Sequence, residues 1–303
     1  MIRRDFIKSA SLLAGGLLTA PLAGKSENFS FKPEMPTLKK GLGFGMIKEE
    51  IPLLDKLKLV KDLGFQGVEF NSPVEFNLKE LVDAKNKSGI DIPSTVNKDH
   101  WSKTLSDPDP SVRQFIIDSI TKSLEETKEL GGDTVLVVPG VVNEKVSYAE
   151  AYKNALDSIR KLIPAAEKTG ITIGLENVWN NFILSPVEAK ELLDTIDHPL
   201  VRWYFDIGNI LRYGWPEHWI EVLDHRMIVK LHIKEYSRKK MNDEGLWKGF
   251  DVELLEGDNN WPAVMAALRK INYKGEWITA EVPGGDRIRL ADISQRMDKI
   301  IQM

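Results

Sequence analysis

Residues 167–177 read EKTGITIGLEN. Charged residues lead into Gly170, and an apolar run from Ile171 to Leu175 ends on Glu176. A glycine after a charged stretch marks a helix C-terminus, where the chain needs a left-handed residue. The β-branched run that follows reads as a strand. The same order of helix end, glycine and strand recurs in KDLGFQGVEF (61–70), NKSGIDIPSTV (86–96) and KELGGDTVLVV (128–138), at Gly64, Gly89 and Gly131.

Extending this pattern gives eight strand-like runs: 40–47, 67–70, 91–96, 134–140, 171–178, 201–209, 227–236 and 275–282. Helix starts fall between them. Asp109-Pro110 supplies an N-cap and a first-turn proline for a helix to Leu130. Ser147 with Glu150, and Ser185-Pro186 with Glu188, have capping-box spacing. Strands alternating with helices pair in parallel. Eight such units predict an α/β fold, a single-domain (β/α)8 TIM barrel over residues 39–303. An open doubly wound sheet is the alternative, weakened because no G-x-G-x-x-G follows the first strand.

The first 26 residues read differently. MIRRDFIKSASLLAGGLLTAPLAG carries Arg3 and Arg4, then Phe6 and Lys8, before a short Ala/Leu/Gly run. It resembles a twin-arginine export signal, so residues 1–26 are set apart and a periplasmic location is expected. The apolar run is shorter than the ~20 residues of a membrane span. No cysteine follows to carry a lipid anchor. Residues 27–38, with Pro33 and Pro36, read as a linker.

Composition narrows the chemistry. The chain of 303 residues has no cysteine, which removes disulfides, thiol nucleophiles and thiolate metal sites. A metal would need carboxylates, imidazole and water, a set suited to one divalent ion: Mn first, then Mg, Co or Zn. Beyond residue 25, 37 basic and 44 acidic residues leave a charge of about −7. That balance argues against nucleic acid, whose binding depends on phosphate neutralisation.

Active sites of such barrels lie at the C-terminal ends of the strands. There the fifth to eighth runs place Glu176, Asp206, His232 and Glu281. Any one of these acids alone serves equally well as a core carboxylate paired with Lys234, Arg238 or Arg202. Four ionisable groups on one rim repel and lose hydration unless a cation offsets them. Three carboxylates and an imidazole therefore read as a divalent metal site. His100, beside Trp101, is a candidate for substrate hydroxyls, and Glu69 for orienting a neighbour or for structure. Lys234 lies two residues from His232 on the same side of its strand. Trp179, Trp215 and Trp247 are stacking candidates, and His198, His218 and His225 read as surface residues.

The motifs GLENVWNNF, YFDIGNI, KLHIKEYSR, EGDNNWPAVMAALRKINYKG and AEVPGG, in this order on strand ends, are similar to the xylose-isomerase-like barrel superfamily of sugar isomerases and epimerases. The pattern most resembles ketose 3-epimerases and L-ribulose- or L-xylulose-5-phosphate 3-epimerases, over residues 40–302. The resemblance implies that Glu176, Asp206, His232 and Glu281 bind Mn or a similar ion, and that Glu176 and Glu281 also act as acid and base. It further implies that Arg238 contacts substrate oxygens. Members are often dimers or tetramers, so it allows a homo-oligomer. Two positions depart from the free-sugar branch. Asn209 replaces a histidine, making DIGN closer to the phosphosugar branch and Asn209 a substrate-contact candidate, and Phe182 replaces a glutamate. The insert MNDEGLWKGFDVELLEGD (241–258) is expected to cover the site.

These features predict a metal-dependent epimerase or isomerase working through an enediolate on a ketose or keto-sugar derivative. Export favours a substrate without phosphate. A keto-sugar or keto-inositol dehydratase or lyase uses the same enediolate. A sugar-binding barrel without catalysis is the non-enzymatic alternative, disfavoured by the complete donor set. A barrel DNA-repair endonuclease would need more histidines and a basic groove.

Overall fold

The computed structural model describes residues 37–303. The predicted export signal and all but the last two residues of the predicted linker lie outside the described residues. Eight parallel strands close into a barrel in chain order. They are β1 (Lys39–Gly43), β2 (Gly67–Ser72), β3 (Ser94–Asn97), β4 (Thr134–Val137), β5 (Thr172–Glu176), β6 (Val201–Asp206), β7 (Ile228–Ile233) and β8 (Trp277–Ala280). Around them run α1 (Leu53–Asp62), α2 (Leu78–Ser88), α3 (Pro110–Leu130), α4 (Tyr148–Thr169), α5 (Pro186–Ile196), α6 (Pro216–Met227), the short α7 (Arg238–Glu244), α8 (Trp261–Lys270) and α9 (Arg287–Ile301). The eight-unit reading of the sequence and the closed parallel sheet agree. Among the described residues, no helix is long and apolar enough to cross a membrane.

Local chemistry sets the boundaries. Gly64, Gly89, Gly131 and Gly170 all adopt positive φ after their helices. Asp109, Ser147 and Ser185 accept N-terminal backbone N–H groups, and Ser185 with Glu188 completes a capping box. Most strands are shorter than the apolar runs, while β2 runs two residues past its own to Ser72. β3 begins after Pro93, which has no N–H for a ladder. β1 stops at Gly43, and a 3₁₀ turn over Phe44–Met46 carries Phe44 onto Phe70, with ring centroids 4.5 Å apart.

The interior is filled from the closed end upward. At the base, Arg202 donates to the carbonyls of His225, Arg226 and Ile228, and buried Lys230 pairs with Asp133 at 2.7 Å. Above lies Tyr204, beside Gly174, where an added Cβ would come within 3.1 Å of the ring. The packed lower layers leave one open end, where β5 to β8 deliver their polar residues. The apolar faces of the helices form the shell that holds this arrangement.

Candidate active site and metal centre

The parallel register determines which side chains meet. Asp206 lies directly opposite His232, and Tyr204 opposite Glu176. Glu281 follows β8, its backbone N–H bonded to the carbonyl of Ile233. Donor atoms of Glu176, Asp206, His232 and Glu281 consequently lie within 4.8 Å of one another. The first three are buried, while 49% of the Glu281 side chain is open to the cavity.

The imidazole of His232 is held from both sides. Its Nε2 is 2.8 Å from Glu69 Oε2, and its Nδ1 faces Glu176 Oε1 at 3.2 Å and Glu281 Oε2 at 3.0 Å. Glu69 also receives hydrogen bonds from Ser94 (2.6 Å), Thr279 (3.2 Å) and the Tyr204 hydroxyl. A carboxylate saturated in this way keeps Nε2 protonated and leaves Nδ1 as the nitrogen aimed at the donor cluster.

Asp206 is braced by asparagines. Asn177 accepts from the Asp206 N–H at 3.0 Å and donates to its carbonyl at 2.7 Å, while the Asn209 N–H donates to Asp206 Oδ1 at 2.8 Å. Gly208 lets this turn press against β7, since an added Cβ would stand 2.8 Å from the Lys234 carbonyl oxygen. Asp206 Oδ2 is fully buried and accepts no hydrogen bond. The Lys234 ammonium lies 3.0 Å from it and 3.0 Å from Glu281 Oε2, satisfying the charge but not the direction of a hydrogen bond. A buried carboxylate oxygen without a hydrogen bond and an imidazole nitrogen aimed into a set of three carboxylates fit a divalent cation.

Electrostatics separates the acids. Burial, with the charge of Glu281, raises Glu176 to about 7. Burial also raises Asp206. Burial opposes ionisation of Glu281 too, but Lys234 and His232 outweigh it and hold Glu281 well below the carboxylate range. His100 is lowered by burial to about 4 and is neutral at physiological pH. Its Nδ1 accepts from the Val138 N–H at 3.2 Å, so its Nε2–H is the donor left for the cavity.

These groups form the floor of a cavity of about 830 Å³. Glu69, His100, Glu176, Asn209, His232, Lys234 and Glu281 all line it. Arg238 does not. Its guanidinium donates to the carbonyls of Leu211 and Gly214, both at 2.8 Å, and sits over Trp215. These bonds brace the β6 loop. Asn209 donates to the Asn177 carbonyl at 3.0 Å, so it braces the site as well as lining it. Trp179 and Trp247 line the cavity and Trp215 lies outside it. His218 and His225 are exposed, and His198 sits at the surface beside Glu167.

Three features escaped the sequence reading. Asn177 was legible as the asparagine after Glu176 in GLEN, matching Asn209 after Asp206 in DIGN. The Phe44, Phe70 and Phe76 cluster has no sequence signal, because its rings come from the turn after β1, from β2 and from the loop after β2. Glu235 anchors the 241–258 insert, accepting from Trp261 Nε1 and from the Leu255 and Asn259 N–H groups. The insert then lays Trp247 and Phe250 along the cavity wall.

A closed parallel barrel with a carboxylate–imidazole cluster at its C-terminal rim defines a class of metal-site TIM barrels. Residues 57–301 match the model of one such family, and the chain belongs to it: the xylose isomerase-like TIM barrel family. A 2-oxo-tetronate isomerase from Pectobacterium atrosepticum is 26% identical over 265 residues, covering 80% of this chain and 91% of that protein. A D-tagatose 3-epimerase-like protein shares the fold with a TM-score of 0.73, at 23% identity, over 88% of this chain and 97% of that one. The IOLI protein, solved with a zinc atom, superposes with a TM-score of 0.69 at 20% identity, over 87% of this chain and 96% of that one.

Proposed function

We propose that the chain is a divalent-metal-dependent epimerase or isomerase that moves a proton at the carbon beside the ketone of a non-phosphorylated keto-sugar. The observation that carries this reading is the convergence of Glu176, Asp206, His232 and Glu281 within 4.8 Å, with Asp206 Oδ2 left unbonded. These four residues would hold the ion. When bound, a divalent ion supplies Lewis-acid polarisation of the ketone and offsets the charge of the carboxylates.

The protein's own groups do the rest. One of Glu176 and Glu281 takes the proton from the carbon beside the ketone, giving an enediolate, and the other returns a proton from the opposite face. Lys234, between Asp206 and Glu281, offers an ammonium donor to a developing oxyanion. His100 donates its Nε2–H to a substrate oxygen. The twin-arginine motif supports work outside the cytoplasm.

The test is metal analysis of the purified protein, followed by solvent deuterium exchange into a panel of keto-sugars. Exchange that needs metal and falls at least ~100-fold in Glu281→Gln is expected. Wild-type exchange by Glu281→Gln would sink the acid–base assignment. Loss of water from the product, seen by mass spectrometry, would shift the reading to a dehydratase.

A further inference from the structure

The cavity is larger and more apolar than proton transfer on a single sugar ring requires. Its volume of about 830 Å³ lies high in the ~300–1,000 Å³ range of sites that enclose drug-sized ligands. The polar groups are concentrated on the floor. Above them stand two aromatic walls. One is Phe44, Phe70 and Phe76, with centroids 4.5 to 6.0 Å apart, from the ends of β1 and β2. The other is Trp179, Trp247 and Phe250, with Trp179 at 5.0 and 4.9 Å from its neighbours, from the ends of β5 and β7. All six rings line the one cavity above the donor cluster.

We propose that the space between these walls binds an aryl aglycone, so that the substrate is an aryl glycoside of a keto-sugar. This rests on the keto-sugar reading of the metal centre. Trp247 leaves 67% of its surface open and Phe76 37%, apolar area at the cavity mouth that a flat aromatic group would cover. Few cations are placed for a phosphate here: Lys234, the one lysine or arginine among the lining residues, is engaged by Asp206 and Glu281, Lys56 over Phe44 bonds the Ile47 carbonyl, and Arg212 packs over the Trp179 ring at 5.0 Å. Arg238 spends its donors on backbone carbonyls. A second sugar ring would find few hydroxyl partners: away from the floor, the lining offers the side chains of Asn71 and Glu75 and the indoles of Trp101 and Trp247, while Glu235 is engaged in anchoring the insert.

The experiment uses the metal-loaded full chain and three derivatives of one keto-sugar: a methyl glycoside, a 4-nitrophenyl glycoside and a phosphate ester. KM is read from solvent deuterium exchange, and affinity from calorimetry on the same compounds. The aryl compound should bind at least about tenfold tighter than the methyl compound. Trp247→Ala, at an exposed site that leaves the fold intact, should erase most of that preference, and Phe76→Leu should reduce it. Equal affinity for aryl and methyl compounds, or preference for the phosphate, overturns the aglycone site. Absence of exchange with all three overturns the epimerase reading alone, because calorimetric preference for the aryl compound still scores the aglycone site. Absence of binding by all three overturns both.

Discussion

His232 shows how much of this site depends on one proton. An imidazole can bind an ion through either nitrogen, and the choice rests on what holds the other. Here Glu69 takes Nε2 at 2.8 Å and is itself held by Ser94, Thr279 and Tyr204. Glu69→Gln replaces one acceptor oxygen with an N–H₂ donor that cannot receive the Nε2 proton. Metal affinity is expected to fall roughly 10–100-fold, measured by chelator competition. Visible absorption of the Co(II) protein should change with it. If thermal stability drops while metal affinity holds, Glu69 is a core polar group and not a positioning residue. The histidine and the three acids were legible because each ends an apolar run on successive strands. Glu69 was visible only as a candidate, because its partners lie 25 to 210 residues away in the chain.

At the scale of elements, the boundaries follow local chemistry closely. The Ser185–Glu188 pair at the start of α5 is a full capping box, with Ser185 Oγ receiving the Glu188 N–H and Glu188 receiving the Ser185 N–H at 2.8 Å. Ser185→Ala should cost about 1 kcal/mol of stability, seen as a lower urea midpoint with an unchanged slope. No loss would mean that α5 is held by packing alone. The helix caps were readable because a cap is decided within four residues. The ends of β4 to β8 were overextended in the sequence, since an apolar run continues past the last ladder hydrogen bond, whereas β2 and β3 reach beyond their runs to Ser72 and Asn97. The run 201–209 leaves β6 at Asp206 because Gly208 turns the chain tightly beside Lys234.

At the scale of the whole molecule, the donor cluster places repelling charges at the mouth of a packed barrel. A cation that binds the folded state alone stabilises it by mass action. Addition of Mn(II) at about one hundred times its Kd should raise the unfolding free energy by ~2.7 kcal/mol, read as a higher Tm. EDTA should reverse the shift, and Asp206→Asn should abolish most of it. A Tm indifferent to divalent ions would remove the metal from the account. The position of Arg238 is likewise set above the level of the strand. Six residues after His232, it sits beyond the strand, where the path of the chain and not the strand period determines its direction. That path turns into α7 and carries the guanidinium to the β6 loop.

The sequence by itself determined the alternation of eight strands with capped helices, the parallel closure and the four donors, because each is a local or periodic signal. Only the tertiary structure decided that Glu69 bonds His232, that the Arg238 guanidinium reaches the β6 loop, and that six aromatic rings line one cavity. Those facts depend on which loops the barrel brings together. Spacing along the chain carries no trace of a distance measured across the barrel.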